Sequence, residues 1–230
     1  MTSGQTTASY SASGLTAGTQ YFWQIVAHNS AGDTIGPVWS FSTAATPPPG
    51  TLPSGWNDSD VGAVGVAGSA SYSSGTFTVK GSGADVWNTA DAFNFAYEPL
   101  AGDGQLIARV ATVQNVASWT KAGIMIRDTL DPSSAYAFMI VSSAKGTAFQ
   151  YRTSAGASAL SVAGTATTAP YWVKVVRAGN SISGYQSPDG VTWTLVGTAT
   201  IPMGSTVQIG LAVSSHDNTK TATATFDQVQ

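Results

Sequence analysis

The side chains able to do acid–base, nucleophilic or metal chemistry are few. The 230-residue chain has two histidines, His28 and His216, one glutamate, Glu98, and no cysteine. Lack of cysteine excludes disulfides, thiolate metal sites and cysteine nucleophiles. Ser215, His216 and Asp217 are consecutive, so their side chains diverge and make no triad, which needs groups converging from different segments. No G-x-S-x-G elbow is present. A site joining His28 to His216 would bridge distant parts of the chain. Glycoside hydrolysis needs two positioned carboxylates, for which one glutamate and scattered aspartates are poor material. A glycan lyase needs a carboxylate neutraliser, a base and an acid, and Arg127, Tyr136 or Tyr151, and His216 supply those types. These residues read as binding rather than cutting, with the lyase as the enzymatic alternative.

Binding chemistry is better supplied. Seven tryptophans offer apolar plates for the C–H face of a sugar, and arginine pairs bidentately with carboxylates. Strand alternation says which side chains share a face. Ala122, Ile124 and Ile126 point to a core, with Lys121, Gly123, Met125 and Arg127 opposite. Phe149 and Tyr151 point in, with Gln150 and Arg152 out. Val173 and Val175 oppose Trp172, Lys174 and Val176, and Ile209, Leu211 and Val213 oppose Gly210, Ala212, Ser214 and His216. If those strands share one sheet, a single outer face gathers Lys121, Arg127, Arg152, Trp172, Lys174 and His216 beside a depression left by small residues. That face would suit an anionic glycan. The alternative is a solvated face with internal salt bridges to Asp91 or Asp128. Trp87 and Asp91, on a turn-rich segment, read either as a sugar-binding loop rim or as a plug for one end of the sandwich. Trp119 reads as rim or core, Trp193 as packing, and Trp56 as the domain start.

Composition points the same way. Only 9% of residues are charged against 43% hydrophobic, and 12 acidic against 9 basic residues give a net charge of −3. That balance lacks the footprint of a nucleic-acid binder and disfavours anionic membranes. No window approaches about 18 uninterrupted apolar residues, the length of a membrane span. The Met1–Thr7 start lacks the basic and apolar regions of a signal peptide. The expectation is a piece of a secreted protein.

The elements that position these residues are strands. Gln20–Asn29 alternates, Asn29–Asp33 is turn chemistry, and Val38–Ser42 alternates again. Three consecutive prolines, Pro47 to Pro49, mark a semi-rigid linker over 46–55 between a segment 1–45 and a domain 56–230. In that domain the predicted strands are Thr76–Lys80, Ala92–Tyr97, Gln105–Val113, Ala122–Ile126, Ala135–Val141, Ala148–Arg152, Tyr171–Arg177, Ser181–Gln186, Val191–Val196, Val207–Val213 and Thr221–Val229. Short strands between turns read as an all-β, two-sheet jelly-roll sandwich. Ser187-Pro188-Asp189-Gly190 is a tight hairpin.

Two resemblances extend this reading. Leu15-Thr16-Ala17-Gly18-Thr19-Gln20-Tyr21, with Val26, Ala27, Asn29 and Gly32, resembles the end of a fibronectin type III domain, with alanine where its tyrosine corner usually has proline. It implies a partial fibronectin unit over 1–45. Gly83–Phe93, Gly102-Asp103-Gly104, Lys121–Asp128, Pro170–Arg177, Ser187–Trp193 and Gly210–His216 together resemble the concanavalin-like, laminin-G-like jelly-roll modules of secreted bacterial proteins. Ser187–Trp193 is also similar to the Asp-box of sialidases, one residue short, and that motif is usually structural. Lys121-Ala122-Gly123 resembles a strand motif of alginate lyases, but their Gln-x-His motif is missing. The Glu-rich strand of jelly-roll glucanases is missing too.

The jelly-roll resemblance implies a non-catalytic carbohydrate-binding module, extracellular, with a polysaccharide or oligosaccharide as partner and a tethered catalytic domain in the parent protein. The ligand-binding candidates are Trp87, Asp91, Lys121, Arg127, Arg152, Trp172, Lys174 and His216. Because such modules often carry a structural calcium, Asp58, Asp60 and Asp227 are its candidate ligands, near the two ends of the domain where first and last strands often pair. The other alternative is a structural or adhesion module without a sugar site.

Overall fold

The computed structural model describes residues 12–16, 18–43 and 50–230. Residues 1–11, 17, 44 and 45 of the fibronectin-like segment, and 46–49 of the linker, lie outside the described residues. The chain divides into two compact units, Met1–Pro47 and Pro48–Gln230.

The first unit holds an antiparallel hairpin of β1 (Gln20–Asn29) and β2 (Gly32–Ser42). Trp23 stands opposite Trp39 and Tyr21 opposite Phe41, and their rings stack at 4.6 and 5.8 Å. Between the Gln24 and Val26 pairings β2 carries one extra residue, at Gly36-Pro37. A bulge is where a strand tolerates a proline, which has no N–H for the ladder. The Tyr21 hydroxyl accepts the Thr16 N–H at 2.7 Å.

The second unit contains β3 (Asn57–Val61), β4 (Ser69–Ser73), β5 (Thr76–Gly81), β6 (Val86–Trp87), β7 (Ala90–Asp91), β8 (Phe93–Ala101), β9 (Gly104–Val113) and β10 (Lys121–Arg127). It continues with β11 (Tyr136–Ser142), β12 (Thr147–Arg152), β13 (Leu160–Ala163), β14 (Tyr171–Ala178), β15 (Ser181–Ser187), β16 (Thr194–Thr200), β17 (Thr206–Ser214) and β18 (Ala222–Asp227). One sheet runs β13-β12-β11-β10-β17-β8-β3 and the other β16-β15-β14-β9-β18-β5-β4, every pairing antiparallel. The small β6–β7 hairpin stands apart from both. The described residues contain no helix, and so no helix long and apolar enough to cross a membrane.

Alternation fills the space between the sheets. Ala122, Ile124, Ile126, Met139, Phe149, Leu211 and Val213 from the first sheet meet Val79, Leu106, Val110, Val173, Val175, Ala224 and Phe226 from the second. At about 25 cal/mol per Å2 of apolar surface this burial is the main favourable term. Ten of the eleven predicted strands of this unit are present near their predicted bounds, and the eleventh, predicted at Val191–Val196, begins later, at Thr194–Thr200, because residues 191–193 belong to the turn. The short strands β3, β4, β6, β7 and β13 have no counterpart in the sequence reading. Asn57-Asp58-Ser59-Asp60-Val61 and Ser69-Ala70-Ser71-Tyr72-Ser73 are too polar to signal a strand by hydrophobicity.

The calcium expectation is corrected here. Its premise was that the first and last strands of the domain pair. They lie in different sheets, which puts Asp58 and Asp60 on β3 and Asp227 on β18. Each carboxylate already has protein donors. Asp58 accepts Ala70 N–H at 2.8 Å, and Asp60 accepts Gly68 N–H at 3.0 Å and the Asn94 amide at 3.1 Å. Asp227 takes a two-pronged bond from Arg109. No group of three acids or histidines gathers among the described residues.

Candidate functional site

The site is built on the face of the first sheet that turns away from the sandwich. Alternation places Lys121, Met125, Arg127, Gln150 and Arg152 on this face, and the structure agrees. It does not leave the face open. Phe93, Phe95, Met125, Tyr136, Phe138, Ile140 and Ala212 form a second apolar cluster, all fully buried. Val86 of the β6–β7 hairpin and Ala159 of the β12–β13 connection belong to it, and Trp87 and Trp119 pack against it. The sheet thus has a core on both sides, the second one roofed by loops.

Two arginines hold that roof. Arg152 pairs bidentately with Asp91, at 2.7 and 2.9 Å. It also donates to the carbonyls of Trp87 at 3.1 Å, Asn88 at 3.1 Å, Ala157 at 3.0 Å and Ser134 at 3.0 Å. Arg127 lies 3.5 Å from Asp91 and donates to the carbonyls of Thr129 and Asp131, both at 2.6 Å. Their guanidinium planes lie 5.0 Å from the Phe93 ring and 4.9 Å from the Tyr136 ring. Segments 83–92, 128–134 and 153–159 are therefore tied to one another through two buried charges and one carboxylate. Gly83 and Gly62 bring the backbone close, because a Cβ at either would overlap the carbonyl of Ala92 or Asp91.

A second knot lies beside the first. Lys121 Nζ is 2.6 Å from Asp85 and donates to the Val86 carbonyl at 3.0 Å, and it sits 5.5 Å from the Trp87 ring and 5.9 Å from the Trp119 ring. His216 Nε2 lies 3.3 Å from the other Asp85 oxygen. Burial sets the electrostatics of both knots. Desolvation pushes the Asp91 carboxyl up, against the pull of Arg152 and Arg127. It pulls Arg127 and Lys121 down, against Asp91 and Asp85 respectively.

Above the knots lies an open groove of about 500 Å3, edged by Asp85, Trp87, Asn88, Pro132 and Asn218. Trp87 is half-buried and Asn88 exposed. Asn218 is fixed from below, accepting from Gly65 N–H and donating to the Ala63 carbonyl. The arrangement offers one aromatic plate, a carboxylate and amides on a rigid base.

The candidates of the sequence reading separate accordingly. Trp87 edges the groove, and Asp91, although it lines the floor by its backbone, has a fully buried carboxylate. Lys121 (2% exposed), Arg127 (0%) and Arg152 (0%) are internal clamps, so as direct ligand contacts they are corrected. The outward direction was right, but a loop lies over it. Of the alternative, a solvated face with internal salt bridges, the bridges to Asp91 are present, but the face is buried rather than solvated and Asp128 accepts Gly204 N–H instead. Trp172 and Lys174 do not join this face, because β14 belongs to the second sheet. There Lys174 lies 4.6 Å from the Tyr185 ring and 4.4 Å from the Trp193 ring. The lyase set is dispersed too, since Tyr151 packs on the inner core while Arg127 and Tyr136 are sealed under the roof. The residues the sequence reading missed are Asp85, Asn88, Asn218, Tyr185 and Trp193. Asp85 and Asn88 stood in the quoted Gly83–Phe93 string and Trp193 in Ser187–Trp193, but Asn218 and Tyr185 needed the register and the loop path.

No family model and no curated protein matches the chain. Solved structures do. A functionally unknown protein from Saccharomyces cerevisiae is 18% identical with a TM-score of 0.58, over 70% of this chain and 90% of that one. A xylan β-1,4-xylosidase from Bacillus halodurans C-125 is 13% identical with a TM-score of 0.52, over 89% of this chain and 46% of that one. This chain thus spans less than half of the xylosidase. The carbohydrate-binding module CBM66 from Bacillus subtilis is 19% identical with a TM-score of 0.49, over 76% of this chain and 93% of that one. With two seven-stranded antiparallel sheets packed face to face and the chain passing repeatedly between them, the second unit is a jelly-roll β-sandwich.

Proposed function

We propose that the protein binds carbohydrate without cleaving it, at the Trp87 groove. One observation carries the reading: a half-buried tryptophan, backed by the Lys121 ammonium, stands at the edge of an open groove that sets the polar groups of Asp85, Asn88 and Asn218 among alanines and Pro132. A sugar ring laid on the indole would find Asp85 and Asn88 within its hydroxyl shell. The Arg152 and Arg127 clamps fix the groove in advance, which keeps the ordering cost of binding low. The nearest basic group, Lys121, is buried and engaged with Asp85, so the groove favours an uncharged glycan. The non-cleaving reading is supported by the carboxylates at the groove: that of Asp91 is fully buried against Arg152, which leaves Asp85 alone where glycoside hydrolysis needs two.

The wider setting belongs to the same proposal. The Tyr21–Thr16 bond has the form of a tyrosine corner, which supports a fibronectin-like origin for the first unit. With the hydroxyl-rich, aromatic-studded composition it supports a secreted, modular protein that holds a tethered catalytic partner at its polysaccharide.

Affinity electrophoresis against a panel of neutral polysaccharides tests the reading. The chain is expected to be retarded by at least one of them, and Trp87→Ala to weaken that binding about tenfold or more while circular dichroism shows the variant still folded, at a lower melting temperature because the indole also packs on the second core. No retardation on any neutral glycan, or Trp87→Ala binding like the parent, overturns it.

A further inference from the structure

The second sheet carries its own cluster of aromatic side chains, on its outer face. Val173 and Val175 are fully buried in the sandwich, so Trp172 and Lys174 point outward. Lys174 stands opposite Tyr185 on β15 and Ile107 on β9, and Tyr185 stands opposite Leu195 on β16. Trp193, from the turn that follows β15, closes over the same lysine. Leu195 is 52% exposed and Val191, two residues before Trp193, is 81% exposed. The patch is therefore apolar, aromatic and open to solvent.

Lys174 is the anomaly in it. Its ammonium lies between two aromatic rings, at 4.4 and 4.6 Å, and it makes no ion pair and no hydrogen bond with the described residues. Arg109 pairs with Asp227, Lys121 with Asp85 and Arg152 with Asp91, whereas, among the described residues, the exposed Lys80 of β5 has no ion pair but also no ring packed on it. An ammonium held by ring faces alone keeps unused N–H donors and an unneutralised charge. The turn beside it is rigid. Asp189 accepts the N–H groups of Val191 and Thr192 and the Ser187 hydroxyl, and Gly190 packs flat against the Trp172 ring.

We infer that this patch is a second carbohydrate site, distinct from the groove, and that it takes a glycan bearing carboxylates. A uronate unit matches both of its parts. The carboxylate supplies the charge that Lys174 lacks, and the C–H faces of the sugar rings cover Trp193, Tyr185 and the exposed Leu195. Charge complementarity selects this occupant over a neutral glycan, which would leave the ammonium unpaired. The site is on the opposite sheet from the Trp87 groove, and neither depends on the other.

Affinity electrophoresis in gels containing polygalacturonate, beside gels containing a neutral glucan, tests the inference. The parent chain is expected to be retarded by polygalacturonate despite its net charge of −3. Lys174→Gln and Trp193→Ala should each weaken that binding about tenfold, Lys174→Arg should retain it, and Trp87→Ala should leave it unchanged. The neutral-glucan gels report the groove separately, so loss of one activity is distinguishable from loss of the other. Circular dichroism and the melting temperature of each variant show that it is folded. Should Trp193→Ala not fold, Lys174→Gln decides alone. No retardation of the parent by polygalacturonate, or Lys174→Gln binding it like the parent, overturns the inference.

Discussion

Arg152 shows how far a sequence can be read at the scale of one residue. Its direction was legible, because Phe149 and Tyr151 face the sandwich and Gln150 and Arg152 must then face away. Its role was not, because alternation names a face and says nothing of what covers it. The covering segment, 83–92, has no periodicity of its own and is placed by contacts distant in sequence. Once covered, a guanidinium with one bidentate carboxylate and several carbonyls becomes a structural bolt. Removing Arg152 leaves the buried Asp91 carboxylate to Arg127 alone, at 3.5 Å, and takes the donor from several carbonyls, at a cost of about 3–5 kcal/mol. Arg152→Leu is therefore expected to lose stability of that order in urea unfolding. The double variant Arg152→Leu/Asp91→Leu should recover none of the loss, since it strands the buried Arg127, whose carboxylate partner is also Asp91. A loss below about 1 kcal/mol, the usual value of an exposed pair, would show that the roof is not held this way.

At the scale of the element, the β15–β16 hairpin was the most legible feature and the one whose chemistry makes a pH prediction. Ser187-Pro188-Asp189-Gly190 announces a turn by its residue types, and the structure puts Gly190 at φ 76°, a left-handed conformation that favours glycine. Trp193 was read as packing, and it does pack, but on Lys174 at the surface. The sequence signal covers the turn and not the strand pairing that brings Lys174 to it. Backbone N–H groups of Thr192 and Val191 and the Ser187 hydroxyl hold the Asp189 carboxyl down to about 2. A carboxylate depressed by folding adds stability above its unfolded pKa, near 3.9, and that stability is lost as pH falls towards about 2. Asp189→Asn, which imitates the protonated acid, should melt below the parent at pH 7. The difference should shrink as pH falls from about 5 to about 2.5. A gap that stays constant across that range would assign the effect to shape rather than charge.

At the scale of the whole chain, the two units differ in how they are held. The second has a core between its sheets and another under its loops, and its strands are paired across seven-stranded sheets. The first, among its described residues, is a two-stranded ribbon. An isolated pair of strands is marginal in water, and this one leaves Phe22 67%, Ile25 56% and Val38 60% exposed. The hairpin itself was legible, since Gln20–Asn29 is both the predicted and the observed strand. Its weakness follows from counting strands rather than from any one residue. Proteases cut where the backbone opens locally, so the ribbon should be cut first. The probe must suit the composition, because no lysine or arginine precedes Lys80 and trypsin is blind to the whole first unit. Chymotrypsin has Tyr21, Phe22, Trp23, Trp39 and Phe41 available there. Under limited digestion its earliest cuts are expected within β1 and β2, leaving a resistant fragment that retains the second unit and its melting transition. Mass spectrometry of the time course decides the point. Early cuts in β8 to β12 would mean that the doubly cored sheet is no more secure than the ribbon, and that the roof over its outer face opens freely.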